Sequence, residues 1–323
     1  MTWVKAAPAI CGILESCEFL AAVRTMPPDV KAFFDPATWT LTYVVSDPAS
    51  GDAVVIDPVL DYDPAGSRVS TRSLDEITRH LHERALRLRW VLDTHAHADH
   101  LSGSRALRDR FPGARMAIGQ GIREVQSVFV GLLNLGPACP TDGSQFDHLL
   151  GDDEVLEAGT LRVEVIATPG HTPACVSYRV GDAVFTGDAL FMPDYGVGRC
   201  DFPAGSAESL FDSITGRLYA LPPQTRVFVG HDYQPGGREV LWESTIAEEK
   251  ARNVQLRAST AREAFVEFRE ARDRRLGTPR LLFPSIQFNI SGGSLPAEGN
   301  GVRYLKIPLR GPEVPATPPS AQS

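Results

Sequence analysis

The 323 residues make one large domain, or one domain with extensions, and a 43% hydrophobic content is enough for a sizeable soluble core. With 40 acidic and 32 basic residues the net charge is −8, which excludes a bulk nucleic-acid binder. No run reaches the ~18 apolar residues of a membrane span, and five irregularly spaced cysteines suggest neither a disulfide framework nor a zinc knuckle, so a reducing, cytoplasmic setting fits best.

In chain order, residues 38–46 read as a first strand and residues 53–58 as a second, stopped by Pro58. Residues 61–72 read as a polar loop. Residues 73–87 carry Leu74, Ile77, Leu81 and Ala85 at helical spacing, with Ser73 as a cap. A short apolar strand, residues 89–94, then runs into His95-Ala-His-Ala-Asp-His100. Residues 101–107 read as a helix start whose free N–H groups add positive potential beside that loop. A helix over 106–111, a strand over 115–118 and an apolar helix over 121–135 follow. Residues 161–168 form a strand running into Pro169-Gly170-His171, and residues 183–187 a strand running into Asp188. Residues 206–221 show an amphipathic helix, 225–229 a strand ending on Gly230-His231, and 259–275 a charged helix stopping near Gly277. The tail 310–323 is rich in Pro, Ala and Ser, the composition of a disordered segment.

Four strands therefore end on imidazole or carboxylate side chains, and open α/β architectures gather functional groups where strands end. His95 and His97 alternate to the same side of an extended loop, Asp99 continues that side, and His100 turns away, so the loop can serve two adjacent metal positions. Imidazole and carboxylate suit zinc, iron or manganese, and the lack of cysteine in the set argues against a structural thiolate zinc site. Of the eight histidines, the other three read as structural or solvated: His80 and His82 on an Arg-rich helix, His148 in a polar loop. Cys175 and Cys200 lie near the motifs and read as packing residues.

These motifs, together with Thr168-Pro-Gly-His-Thr172, Phe185-Thr-Gly-Asp188 and Val229-Gly-His-Asp-Tyr233, resemble the metal motifs of the metallo-β-lactamase superfamily across roughly residues 35–256. The resemblance implies an α/β fold, an αββα sandwich with the metal site at one edge of two sheets and a C-terminal extension. Gly196-Val-Gly-Arg-Cys-Asp-Phe202, Gly230-His-Asp-Tyr233 and Ser244-Thr-Ile-Ala-Glu-Glu-Lys-Ala-Arg-Asn253 are similar to segments of the persulfide dioxygenases. Phe191-Met-Pro-Asp-Tyr195 and Asn300-Gly-Val-Arg-Tyr-Leu-Lys-Ile-Pro308 look like a bacterial branch of these. Val197 stands where the mitochondrial branch carries a cysteine, which excludes a sulfur relay at that position.

The resemblance implies one Fe(II) per chain on His95, His171 and Asp188, with three positions open for substrate and O₂. His97, Asp99, His100 and His231 become outer groups that orient ligands and water. Arg199 and Tyr233 become substrate contacts, with a salt bridge to Asp201 and a buried structural hydroxyl as their alternatives; Arg238 reads as a surface arginine. The implied substrates are glutathione persulfide, or a similar low-molecular-weight persulfide, and O₂; the products are sulfite and the thiol. The same residues support a glutathione-thioester hydrolase of the hydroxyacylglutathione type. There, zinc on His95, His97 and His171 and a second ion on Asp99, His100 and His231, bridged by Asp188, share a hydroxide. A non-catalytic sulfur-binding protein would not need the whole ligand set. The organisation read from the chain is an N-terminal extension over 1–31 with Met26 as the natural start, a catalytic domain over 32–256, a helix and extension over 257–309, and the tail. The segment 1–25 lacks the basic start and clean apolar run of a secretory signal. No membrane partner is expected, and a homodimer is allowed.

Overall fold

A computed structural model describes residues 27–309. The expectations about Met26, the segment 1–25 and the tail 310–323 lie outside the described residues. β1 (Asp29–Asp35) and β2 (Thr40–Ser46) pair antiparallel, and β2 pairs with β3 (Asp52–Ile56). A small hairpin of β4 (Val59–Asp63) and β5 (Arg68–Ser70) precedes α1 (Arg72–Glu83). Then come β6 (Arg87–Asp93), β7 (Leu101–Ser102), α2 (Ser104–Arg110), β8 (Arg115–Gly119), α3 (Ile122–Leu132) and β9 (His148–Leu150). The second half opens with β10 (Val155–Ala158), β11 (Leu161–Ala167), β12 (Val176–Val180) and β13 (Ala183–Phe185). It closes with α4 (Ala207–Ser213), β14 (Arg226–Phe228), β15 (Glu243–Thr245), α5 (Ile246–Arg252), α6 (Arg262–Asp273) and α7 (Leu282–Ile290).

The strands make two six-stranded sheets, ordered β1-β2-β3-β6-β8-β9 and β10-β11-β12-β13-β14-β15. Alternation explains how they stack. Along β2, Leu41, Tyr43 and Val45 face the second sheet and meet Val163, Tyr178, Phe185 and Phe228. Val44 faces the other way, with Val55, Val91 and Ile118, onto the buried faces of α1, α2, α3 and α7. Both faces of the first sheet are covered, so its central strands are apolar throughout. On the far side of the second sheet Leu210 of α4 and Phe265 of α6 complete the αββα sandwich. Burying side chains of this size stabilises by roughly 1.5–3 kcal/mol each, so the ends of these strands are firmly placed.

Several local expectations change. The residues 61–72 are not a plain loop: they carry the end of β4 and all of β5, and Asp61 accepts from Ser73 N and Oγ. Ser73 is thus inside α1 rather than its cap. The stretch after His100 starts as β7, paired with β4, and the helix begins only at Ser104. Its opening hydroxyls do not serve the metal loop: Ser102 and Ser104 both donate to the buried carboxylate of Asp93. His148 lies in β9, not in a loop, and pairs with Glu154 against the Trp90 ring. His80 and His82 pack edge-on to Phe33 and face-on to Phe111, away from the other imidazoles. No helix among the described residues is long and apolar enough to cross a membrane.

Candidate metal centre

The loops after β6, β11, β13 and β14 meet at one edge of the sandwich. β13 and β14 run parallel, so Asp188 and His231 leave neighbouring strand ends together. The His231 segment is tied to the first sheet by Leu41 N donating to Gly230 O at 2.9 Å. Ring centroids are 4.1 Å apart for His95 and His97, 4.2 Å for His97 and His100, and 5.0 Å for His95 and His171. The ligand atoms of His95, His171 and Asp188 all lie within 4.8 Å of one another, and those of His97, Asp99 and His100 do the same. His231 Nε2 is 3.3 Å from both Asp99 Oδ2 and Asp188 Oδ1, so it links the two groups.

Hydrogen bonds fix which nitrogen each imidazole presents. Asp57, missed in the sequence reading, sits at the end of β3 with a φ of 49° and is buried. Its carboxylate accepts from Thr94 N at 2.7 Å and from Thr94 Oγ1 at 2.8 Å. With its proton spent on Asp57, the Thr94 hydroxyl accepts from His95 Nδ1 at 3.0 Å, which leaves a lone pair on His95 Nε2. His97 Nε2 donates to Asp57 Oδ1 at 3.0 Å, which leaves its Nδ1 free. His171 Nδ1 donates to Arg199 O at 2.7 Å and so presents Nε2. Partners of this kind set ring orientation and basicity in metal sites generally.

His95 Nε2, His97 Nδ1 and His100 Nε2 are buried with no hydrogen-bond partner, and beside them Asp99 Oδ2 and Asp188 Oδ1, also buried, have only ion-pair contacts, the nearest from His231 Nε2 at 3.3 Å. Each such group costs roughly 1–3 kcal/mol, and five converging acceptors call for a cation. Burial and the neighbouring His97 push His95 well below the usual imidazole range, in keeping with a neutral ligand. Burial alone would raise Asp188, but His231, His95 and His171 hold it well below the carboxylate range. The residues fit a divalent metal such as zinc or iron. Among the described residues Asp57, Asp93 and His97 form a third group of metal-ligand type. Asp57 and Asp93 in it already accept the hydrogen bonds just described.

A cavity of about 280 Å³ opens on the metal edge, with His171, Asp188 and Asp99 at its base. Phe191, Tyr195 and Tyr233 form an aromatic wall; the two tyrosine rings lie 4.7 Å apart. Tyr233 also stacks on His231. Arg199 lines the same cavity, but its guanidinium is committed: it donates to both Asp201 carboxylate oxygens, at 2.6 and 2.7 Å, and to Gly277 O. Arg238 is likewise forked onto Asp194 and onto the buried Asp232, so it is an anchored structural arginine and not a free surface one. Cys175 is buried beside Thr172, its thiol pushed up to about 12 by burial.

The Gly196–Phe202 segment is braced from two helices. Asn253 donates to Gly196 O and to Glu249, and Gln255 donates to Tyr195 O. The buried pair of Arg269 and Asp273 on α6 ties to Val197 O and Cys200 N. A second missed residue, Asn289 on α7, donates to His97 O and His100 O at 2.8 Å and accepts from Ser102 N at 2.8 Å. No local signal reveals it, because its partners lie nearly 190 residues away. Gly198 approaches so closely that an added Cβ would overlap the Asp188 carbonyl oxygen. Gly198→Ala is therefore expected to displace the Asp188 turn and lower metal content several-fold, with a stability loss of about 1–3 kcal/mol. Elemental analysis and thermal unfolding of the purified variant check this; a fully metallated Gly198→Ala would contradict it.

The metallo-beta-lactamase superfamily profile matches residues 40–231. The chain belongs to the metallo-β-lactamase superfamily. Within it, the chain is 48% identical over 291 residues to a probable metallo-hydrolase of Burkholderia pseudomallei, covering 87% of this chain and 98% of that one. It is 33% identical over 232 residues to the human mitochondrial persulfide dioxygenase ETHE1, covering 71% and 76% of the two chains. A crystal structure of ETHE1 from Myxococcus xanthus superimposes with a TM-score of 0.65 at 34% identity, covering 82% of this chain and all of that one.

Proposed function

We propose that this chain is an iron-dependent persulfide dioxygenase, which converts glutathione persulfide, O₂ and water to glutathione, sulfite and two protons. The observation that carries the reading is the group His95, His171 and Asp188, two of whose members line the aromatic-walled cavity. Likeness to persulfide dioxygenase ETHE1 supports it. Ferrous iron on this two-His-one-carboxylate face would supply redox chemistry and open positions for both reactants. The chain's own residues do the rest. Asp57, Thr94 and the Arg199 carbonyl hold the imidazoles in their ligating tautomers. Phe191, Tyr195 and Tyr233 exclude water from the sulfur, which limits hydrolytic loss of a reactive persulfide. Tyr233, half-buried and without a protein acceptor for its hydroxyl among the described residues, supplies a hydrogen-bond donor to substrate.

A second reading has its own support. His97 Nδ1, Asp99 Oδ2 and His100 Nε2 are oriented as a further ligand group, and a metallo-hydrolase is among the relatives. Two zinc ions there would serve hydrolysis of a glutathione thioester. Metal analysis of anaerobically purified protein, paired with O₂ uptake on glutathione persulfide, separates the two. About one iron per chain and O₂-dependent sulfite release are expected. Two zinc ions per chain with thioester hydrolysis, and no O₂ uptake, would replace the dioxygenase by the hydrolase.

A further inference from the structure

The cavity is polarised. Its base carries the carboxylates Asp99 and Asp188, which face the metal position, while its outer wall is built by the segment from α6 to the start of α7. Four arginines line it, and their commitments differ. Arg199 is forked onto Asp201. Arg269 is buried and donates through its two terminal nitrogens to Asp273, Gln255 and Val197 O, while its Nε, also buried, has no partner. Arg272, half-buried, and Arg280, exposed at the mouth, have no carboxylate within 4.0 Å and no protein hydrogen-bond acceptor among the described residues. The other two arginines of the lining, Arg199 and Arg269, each hold a carboxylate. Two uncommitted guanidiniums on one cavity wall, in a chain of net charge −8, leave positive charge where a ligand would lie. A guanidinium fork matches a carboxylate through two parallel hydrogen bonds.

We infer that Arg272 and Arg280 form the carboxylate-reading end of the substrate cavity. The substrate class is then a low-molecular-weight thiol derivative with its sulfur at the metal edge and one or more carboxylates at the far end. Neutral or cationic thiols are discriminated against. This rests on the thiol-substrate reading above for the sulfur end and for the choice of probe, and it holds for persulfide and thioester chemistry alike. It also moves anion recognition away from Arg199, whose fork is already filled.

The test is equilibrium binding to the metal-loaded full chain by titration calorimetry, with two unreactive probes: S-methylglutathione and its diethyl ester. Wild type is expected to prefer the dicarboxylate by at least tenfold. Arg272→Gln and Arg280→Gln are each expected to weaken S-methylglutathione about tenfold, the effect of losing one charge-assisted contact, and to leave the ester unchanged. Arg275→Gln, which removes an exposed charge that does not line the cavity, should change neither probe. Equal affinity of wild type for both probes overturns the proposal, as does no binding of either. Undiminished preference in the double variant, or an equal loss in Arg275→Gln, also overturns it. If the preference depends on both arginines while no O₂ uptake on glutathione persulfide occurs, the dioxygenase reading fails and this assignment stands.

Discussion

Asp188→Ala is expected to empty the metal site and abolish activity together. The carboxylate is shared: Oδ1 is 3.3 Å from His231 Nε2 and Oδ2 is 3.6 Å from His171 Nε2. Its removal leaves His95 and His171 with no carboxylate between them and only Asp99 against His231, so both the charge and the geometry that hold a divalent cation at this position go at once. Loss of a mere outer partner typically costs about 10–100-fold in affinity; loss of this ligand should exceed that. Metal per chain, measured after gel filtration, should fall below about a tenth of wild type, with the initial rate at background. His97→Ala separates the two metal arrangements. With iron on His95, His171 and Asp188, it keeps much of the metal and lowers the rate. Should it empty the site as fully as Asp188→Ala, His97 Nδ1 is itself a ligand, and the arrangement of the hydrolase reading applies.

The metal edge was legible because its strands are short apolar runs that stop on a ligand type. Val91-Leu92-Asp93, Val184-Phe185 and Val227-Phe228 are buried on both faces, and the residues just past them have nowhere to point but the shared edge. Helices with a polar face, such as α1, were legible for the same reason of period. Elements with a weak or misleading pattern were not. β1 is half-exposed along most of its length and gives no strand pattern, and the β4–β5 hairpin, rich in Asp and Arg, reads over residues 61–72 as loop. α7, Leu-Phe-Pro-Ser-Ile-Gln-Phe-Asn-Ile, carries a proline and buries polar Ser285, Gln287 and Asn289, which hides its helical period. The groups that orient the imidazoles were equally hidden. Asp57 announces itself only as a buried acid closing an apolar strand, and Asn289 acts wholly through tertiary structure.

Asn289→Ala tests whether that distant helix sets the metal loop. The amide makes three hydrogen bonds to the loop and its exit strand, and all of the groups involved are buried. Truncation leaves His97 O, His100 O and Ser102 N unsatisfied, at roughly 1–3 kcal/mol each. Partial relaxation and competing solvation reduce the sum, so about 3–6 kcal/mol and a fall in melting temperature on the order of 10 °C are expected. Freed carbonyls would also let His97 and His100 swing, so metal affinity should drop about 10–100-fold, as when an outer partner is removed. Ser285→Ala is the comparison on the same helix. Its hydroxyl is buried without a partner, so removing it should leave stability within about 0.5 kcal/mol or raise it, with metal affinity intact. A competitive chelator titration and thermal unfolding of both variants read the two effects separately. If Asn289→Ala lowers the melting temperature yet binds metal as wild type does, α7 supports the fold alone. If metal affinity and melting temperature fall together only in Asn289→Ala, the C-terminal segment belongs to the metal centre as much as the histidine loop does.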